Sequence, residues 1–465
     1  MVFSSSVFLL LFLPIVFVAN CLIKKKYSNL LLLLASLVFY AWGEPILVLL
    51  MIFSIVINWG AGLLLSRLTG IARKIVLGVG VVCDLSILGY YKYAGFLANT
   101  INSVFSREIL PVVEIALPIG ISFFTFQAIS YVVDVYRGET EASKKITNVA
   151  LYISFFPQLI AGPIVKYRDI NKQIEDRSVT WISVSDGFRR FIFGLGKKVL
   201  IANVLGLCVD KIYAYDIATI DPKTAWIGAL AYSFQIYYDF SGYSDMAIGL
   251  GKMFGFTILE NFNYPYLSSS ISEFWRRWHI SLGSWFREYV YIPLGGNRKG
   301  KARTIINLLI VFFLTGLWHG ADISFIVWGL YHGFFSIIER LRVKKVLTKV
   351  KVLPVIYTFL IVNFGWVLFR SDTTINGIRY IARMIMPWRH ADIRILTWNY
   401  LDLKTMVAFI FAIIGAGILH KFVPNTIKKV WKNSVVEAIF CICVLILCIA
   451  SVASDTYNPF IYFQF

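Results

Sequence analysis

Ile305-Ile-Asn-Leu-Leu-Ile-Val-Phe-Phe-Leu-Thr-Gly-Leu-Trp-His-Gly-Ala-Asp-Ile-Ser-Phe-Ile-Val-Trp-Gly-Leu-Tyr-His-Gly-Phe-Phe-Ser-Ile-Ile-Glu-Arg340 reads as two apolar runs separated by Gly320-Ala321-Asp322. Taken as 303–319 and 323–339, each run approaches the length a helix needs to cross a hydrocarbon core of about 30 Å. Lipid offers the backbone no hydrogen-bond partners, so the runs are expected to be helices. The same texture recurs outward from this pair. Clear spans cover 7–22, 28–42, 46–65, 75–91, 352–370, 404–420 and 434–453, and less regular apolar segments cover 109–133, 147–162, 188–208 and 222–255. By length the chain is an all-α polytopic membrane protein with roughly eleven to thirteen membrane helices.

The bulk composition agrees. Of the 465 residues, 58% are hydrophobic and 15% charged, and the mean hydropathy is +0.71. Soluble domains carry about 25% charged residues. The net charge of +19 raises nucleic acid as a partner, but its distribution argues against one. The cations gather at the ends of apolar blocks: Lys24-Lys25-Lys26, Arg189 and Arg190 with Lys197 and Lys198, and positions 298–303, 340–351 and 428–432. That is the pattern of cytoplasmic loops, and it lacks the single basic face of a nucleic-acid binder. The run 7–22 precedes its basic residues and shows no small-residue cleavage site, so it reads as an uncleaved first span with its N-terminus outside. The six cysteines lie in or beside apolar blocks with no CxxC pair and no neighbouring histidine. A metal site is not expected from them, and packing thiols are.

From about 118 to 340 the apolar blocks contain Gly, Pro, Ser, Asp, Arg and His, as in Pro118-Ile-Gly120, Phe156-Pro157-Gln158 and Gly162-Pro163. Irregular backbone at membrane depth is tolerated where protein or water re-satisfies it, which suggests re-entrant segments around a cavity.

Of the five histidines, His390 and His420 sit beside Arg389 and Lys421 near span ends, where an interfacial role fits. His279, His319 and His332 lie in aromatic surroundings. His319 ends an almost uniformly apolar span and is followed by Gly320 and Asp322. An ionisable group there faces a cavity or a partner, and imidazole is suited to proton transfer near neutral pH. The competing reading is an interfacial histidine beside an anchoring Trp318. In 271–289, Trp275, Trp278, Leu282 and Trp285 follow helical spacing on one face, with Glu273, Arg276, Arg277 and Arg287 mostly on others. This predicts an amphipathic helix at the bilayer surface, from which His279 turns either outward or toward a cavity. Asp239 and Asp245, within Tyr237-Tyr-Asp-Phe-Ser-Gly-Tyr-Ser-Asp245, are expected to pair with Arg276 or Arg277 or to orient a histidine.

Asn261-Phe-Asn-Tyr-Pro-Tyr-Leu267, Ser272-Glu-Phe-Trp-Arg-Arg-Trp-His-Ile-Ser-Leu282 and Gly316-Leu-Trp-His-Gly-Ala321 closely resemble the motifs of the membrane-bound O-acyltransferase superfamily. The opening Met1-Val-Phe-Ser-Ser5, Pro118-Ile-Gly-Ile-Ser-Phe-Phe-Thr-Phe126, Phe155-Phe-Pro-Gln-Leu-Ile-Ala-Gly-Pro163 and Tyr238-Asp-Phe-Ser-Gly-Tyr-Ser-Asp245 resemble, within it, the membrane subunit of bacterial alginate O-acetylation. The resemblance implies one domain over 1–465: a ring of transmembrane and re-entrant helices around a central tunnel from cytoplasm to exterior. Rim helices would occupy 1–92, a catalytic core 109–340, C-terminal helices 352–454 and an aromatic tail 455–465. His319 matches the near-invariant catalytic histidine and His279 the second motif histidine, with Asn261, Trp278, Trp318, Asp239, Asp245, Arg276 and Arg277 as supporting or tunnel residues. The resemblance further implies acetyl-CoA or a carrier-bound thioester as cytoplasmic donor, with no bound cofactor and no metal. It places the chain in a bacterial plasma (inner) membrane beside an extracytoplasmic partner of the SGNH-hydrolase type, with a polysaccharide as final acceptor.

Chemistry makes the role of His319 sensible. A hydroxyl is a weak nucleophile toward a thioester until a base removes its proton, and His279, Asn261 or a nearby hydroxyl would orient that base or stabilise the oxyanion. The tail Asn458-Pro-Phe-Ile-Tyr-Phe-Gln-Phe465 resembles the C-terminal motif of the small partner peptide in teichoic-acid D-alanylation, which makes Tyr462 a candidate acyl carrier. An interfacial aromatic anchor is the competing reading. Three other functions remain open from sequence: D-alanyl transfer to teichoic acid, a transporter, and a scaffold subunit of a polysaccharide export system.

Overall fold

Runs of Leu, Ile, Val and Phe, interrupted by few prolines, leave most of the chain no alternative to helix once water is excluded. In the computed structural model, which describes residues 1–112, 115–340, 352–386, 400–417, 434–454, 457–459 and 461, no β-strand occurs among the described residues. His390, His420 and Tyr462 lie outside them. The chain packs as two compact units: 1–191 with 244–259, and 192–243 with 260–465.

The first unit contains α1 (Leu13–Leu22, continuing a π-helical turn Phe8–Phe12), α2 (Lys25–Ala41), α3 (Val48–Arg67), α4 (Gly70–Phe105), α5 (Ile121–Arg137), α6 (Ile146–Ser154), α7 (Phe156–Leu159) and α8 (Tyr167–Glu175). It also holds the start of α9 (Trp181–Gly196) and the end of α11 (Pro222–Met253). The expected break near Phe156 is present, with Pro157 in the first turn of α7, where a missing N–H costs no intrahelical bond. In α3, Leu49, Phe53, Val56 and Leu64 are exposed as a lipid-facing stripe, whereas Ser54 and Asn58 are buried. Asn58 Nδ2 donates to Asp84 of α4 at 2.9 Å, and such polar contacts hold membrane helices together where hydrophobicity cannot.

The second unit begins in α9, passes through a π-helical segment Lys197–Ala202 into α10 (Asn203–Tyr213), and takes the first part of α11. Then follow α12 (Ile271–Arg277), α13 (Ile280–Phe286), α14 (Gly300–His319), α15 (Ile323–Ile338), α16 (Leu353–Arg370), α17 (Thr374–Ile385), α18 (Leu403–Gly415) and α19 (Ser434–Ser454). The α14–α15 hairpin positions the site. Asp322 caps α15 by accepting the Ser324 N–H at 2.7 Å. Close approach of the two helices is enforced by glycine: a Cβ on Gly316 would lie 2.3 Å from the Phe325 carbonyl oxygen, and one on Gly329 2.3 Å from that of Phe312.

Among the described residues, five helices are long and apolar enough to cross a membrane: Val48–Arg67, Trp181–Tyr213, Gly300–His319, Leu353–Arg370 and Val435–Ser454. Phe8–Leu22, Ile323–Ile338 and Leu403–Gly415 are apolar but shorter. The clear spans expected from the sequence each overlap a helix, the one at 75–91 lying within the longer α4, and the end of 404–420 lies outside the described residues. Of the less regular segments, 109–133 is helical only from Ile121 and 147–162 is broken at Phe155.

The amphipathic helix expected over 271–289 is not continuous. It breaks after Arg277 and restarts at Ile280, because His279 adopts a left-handed backbone (φ 45°, ψ 55°). Trp278, Leu282 and Trp285 are buried in protein rather than laid on a bilayer surface.

Candidate active site

The break at His279 is built from both sides. Asn261 Oδ1 lies 3.2 Å from His279 Nδ1 and accepts the Ser281 N–H at 3.1 Å and its hydroxyl at 2.9 Å. The Asn261 carbonyl accepts the Ile280 N–H at 3.0 Å, and the Asn263 N–H donates to the Arg277 carbonyl at 2.9 Å. These bonds hold a non-glycine residue in a conformation that L-amino acids seldom adopt. At the other end of α12, the buried Glu339 carboxylate accepts the Ile271 N–H at 2.7 and 3.0 Å, and the Ser270 hydroxyl accepts the Glu273 N–H at 3.0 Å. A carboxylate at a helix N-terminus is favoured by the helix dipole. So α12 is anchored at its start by Glu339 and at its end by the Asn263 N–H, with Asn261 holding the turn that follows.

Aromatic rings link the histidines. The His279 ring meets Phe240 edge-on at 4.6 Å and stands 6.0 Å from Trp318. Trp318 lies 4.9 Å from His319, whose ring packs against Trp328 at 5.0 Å and Phe369 at 5.3 Å. His332 follows, 5.2 Å from Trp328 and 5.1 Å from Trp275. Trp278 stacks with Phe274 at 5.5 Å and lies 4.8 Å from Trp366. His279, His319 and His332 are all buried. Burial pushes the His279 imidazole, at the turn between two short helices, down to about 3.

A cavity of about 630 Å³ opens onto this wall. His279 lines it with Thr315, Ser336 and three cations, Arg276, Arg287 and Arg340. His319 is not among the lining residues; it lies beyond Trp318, one turn past Thr315. A second cavity of about 850 Å³ is lined by Arg370, Arg379 and Arg383 with Tyr213, Asp216 and Tyr380. Arg340 and Arg370 mark opposite ends of the α15–α16 pair. The 18 residues of α16 put those ends about 27 Å apart.

The carboxylates depart from expectation. Asp239 pairs with Lys198 rather than with Arg276 or Arg277. Asp245 belongs to the first unit, where Arg190 Nη2 meets it at 2.6 Å. Arg277 pairs with Glu273 at 2.6 Å, and Arg276 lines the first cavity. The reason is local: Arg276 and Arg277 stand at the end of α12, where Glu273 is one turn away and a cavity wall is adjacent. Lys198, read from sequence as part of a cytoplasmic basic cluster, is instead buried, with its side chain 4% exposed. Glu339 was not singled out by sequence, and Arg287 and Arg340 were read only as a charged helix face and a basic cluster at a span end, a signal that a solvated residue shares.

Known proteins share this sequence across most of its length. A family model described as "MBOAT, membrane-bound O-acyltransferase family" matches residues 121–371. The chain is 41% identical over 496 residues to "Probable alginate O-acetylase AlgI" of Pseudomonas putida, covering 100% of both chains. It is 47% identical over 419 residues to the protein of that name from Pseudomonas aeruginosa, covering 88% of this chain and 79% of that one. It is 35% identical over 423 residues to "Peptidoglycan O-acetyltransferase" of Helicobacter pylori, covering 83% and 80%.

Proposed function

The chain belongs to the membrane-bound O-acyltransferase family, and on that premise we propose that it moves an acetyl group from a cytoplasmic thioester to the outer side of a bacterial plasma membrane for O-acetylation of a polysaccharide. That it is a multi-pass membrane O-acyltransferase follows from the family and the spanning helices. The acetyl group and the polysaccharide are what the names of its relatives suggest.

The single observation that carries this reading is that two buried imidazoles, His279 and His319, both pack on Trp318. His279 lines a cavity holding three arginines. His319 packs on the same indole and against Phe369, near the end of α16 that bears Arg370. A basic cavity suits an anionic donor such as acetyl-CoA, since guanidinium groups pair with phosphate oxygens. In the transfer, His319 takes the proton of the attacking hydroxyl, whose oxygen adds to the thioester carbonyl. Collapse of the tetrahedral intermediate then breaks the C–S bond, and the proton passes to the departing thiolate.

Tyr462 is the proposed first acceptor. Its sequence neighbour Ile461 is buried in the core that includes Trp328 and Phe369, which supports placing a tail phenol in this unit. An extracytoplasmic acetyltransferase of the SGNH-hydrolase type would then take the acetyl group from the tail to the polymer.

The test is acetyl transfer from labelled acetyl-CoA in membranes. His319→Ala and His319→Gln should each lower transfer at least a hundred-fold, the usual range for loss of a general base, with the protein present at wild-type level. Transfer retained in both would remove His319 from the mechanism.

A further inference from the structure

The C-terminal segment is held inside the second unit by a buried ion pair. Lys198 bonds both to the Asp239 carboxylate and to the carbonyl oxygen of Pro459. The other Asp239 oxygen accepts the Ile461 N–H at 2.9 Å. Asn203 Nδ2 donates to the Tyr457 carbonyl at 3.3 Å. The Tyr457 hydroxyl donates to Asp210 at 2.5 Å, the carboxylate that also accepts from Arg370 at 2.9 Å.

We propose that Lys198 and Asp239 are positioning residues: they form a clamp that reads the main chain at Pro459 and Ile461 and so fixes the direction in which this part of the tail is held. A buried ion pair is weak support for stability in itself, because desolvating both charges offsets their attraction. This pair does more than neutralise itself. Its cation faces a carbonyl and its anion faces an N–H, the two ends of one short peptide. The pair itself meets only main-chain groups, the carbonyl of 459 and the N–H of 461, so its polarity matches one chain direction, beside the contacts made by the Tyr457 and Ile461 side chains. The purpose assigned to the clamp rests on the tail serving as acyl acceptor; the docking itself does not.

The test uses the full chain, purified in detergent, carrying Asn458→Cys. A brief maleimide pulse is followed by mass spectrometry of the C-terminal peptide, without any acyl donor. With the clamp intact the thiol should label slowly. In the charge-exchanged variant Lys198→Asp/Asp239→Lys, the ion pair survives but meets the tail with acceptor against carbonyl and donor against N–H. Labelling should rise about ten-fold or more, as for loss of a charge-assisted hydrogen bond. Retained protection in the exchanged variant would overturn the proposal, since a purely structural pair is restored by exchange. Where that variant does not accumulate, Ile461→Pro decides: it removes the N–H at the tail and leaves the helices untouched. Faster labelling in Ile461→Pro but not in Ile461→Val supports the clamp, and equal protection in both overturns it. Lost protection with normal acetyl transfer would leave the clamp standing and remove the tail from the reaction.

Discussion

The side-chain oxygen of Asn261 stands 3.2 Å from Nδ1 of His279, and the same oxygen accepts both the amide and the hydroxyl of Ser281. One amide group thus fixes a ring, a left-handed turn and the first turn of α13. Any account of His279 has to pass through Asn261.

Asn261→Ala should therefore lower acyl transfer by about ten- to a hundred-fold, corresponding to about 1–3 kcal/mol for leaving buried groups unsatisfied. Asn261→Asp keeps the acceptor and should fall less. Labelled-acetyl transfer normalised to protein level in membranes checks the order. Equal loss in both variants would mean that burial of a charge, not the acceptor, dominates.

Neutralising the cavity cations tests the donor side. Arg276→Gln and Arg287→Gln, both lining the cavity that reaches His279, should raise KM for acetyl-CoA about ten-fold each with kcat little changed, the signature of lost ground-state binding. The effect should grow weaker in high salt, where exposed charges are already screened. A fall in kcat at constant KM would place these arginines elsewhere in the cycle.

The depressed pKa of His279, about 3 against about 6.5 for an unperturbed imidazole, has a definite sign. Between those values the unfolded chain binds a proton that the folded chain refuses, so stability is full above pH 6.5 and declines as pH falls, by about 1.4 kcal/mol per pH unit. Thermal unfolding in detergent from pH 7.5 to 5 should show this slope, and His279→Gln should flatten it. An unchanged slope would assign the acid sensitivity to other groups.

Gly316 and Gly329 bring α14 and α15 into backbone contact, with an added Cβ meeting a carbonyl oxygen at 2.3 Å in each case. Gly316→Ala should cost about 1–3 kcal/mol through overpacking, and it should displace His319 one turn away. The same change at Gly333, where a Cβ would stand 3.2 Å from a Phe312 side-chain atom, should be milder. Melting temperatures in detergent rank the two.

The helical spans were readable because lipid imposes a length and an apolar composition on each. The motif histidines and Asn261 were readable as a cluster through their resemblance to a family. The break at His279 was not, because Trp275, Trp278, Leu282 and Trp285 keep helical spacing straight through it and no Gly or Pro marks it. The bonds from Asn261 that impose it come from a separate segment of chain. Lys198 was misread for a related reason: the doublet Lys197-Lys198 looks like the end of a span. The sequence did hold a hint, since Asp239 is an anion in an otherwise apolar stretch and needs a cation. Glu339 gave less, as a carboxylate at the end of a span usually meets water, and only the fold brings it to the start of α12.

Trp318 also bears on what the bilayer must keep. A protein that handles a substrate from one face and delivers it at the other threatens the proton gradient, and each charge leaking across 100 mV dissipates about 2.3 kcal/mol. The buried indole packs beside both rings, 6.0 Å from His279 and 4.9 Å from His319, and fills the space next to each imidazole with side chain rather than water. Trp318→Gly in sealed proteoliposomes should collapse an imposed pH difference faster than wild type, and an unaltered decay would show the seal to lie elsewhere. On this view a buried indole is what would let a membrane protein hand on a group without handing on charge.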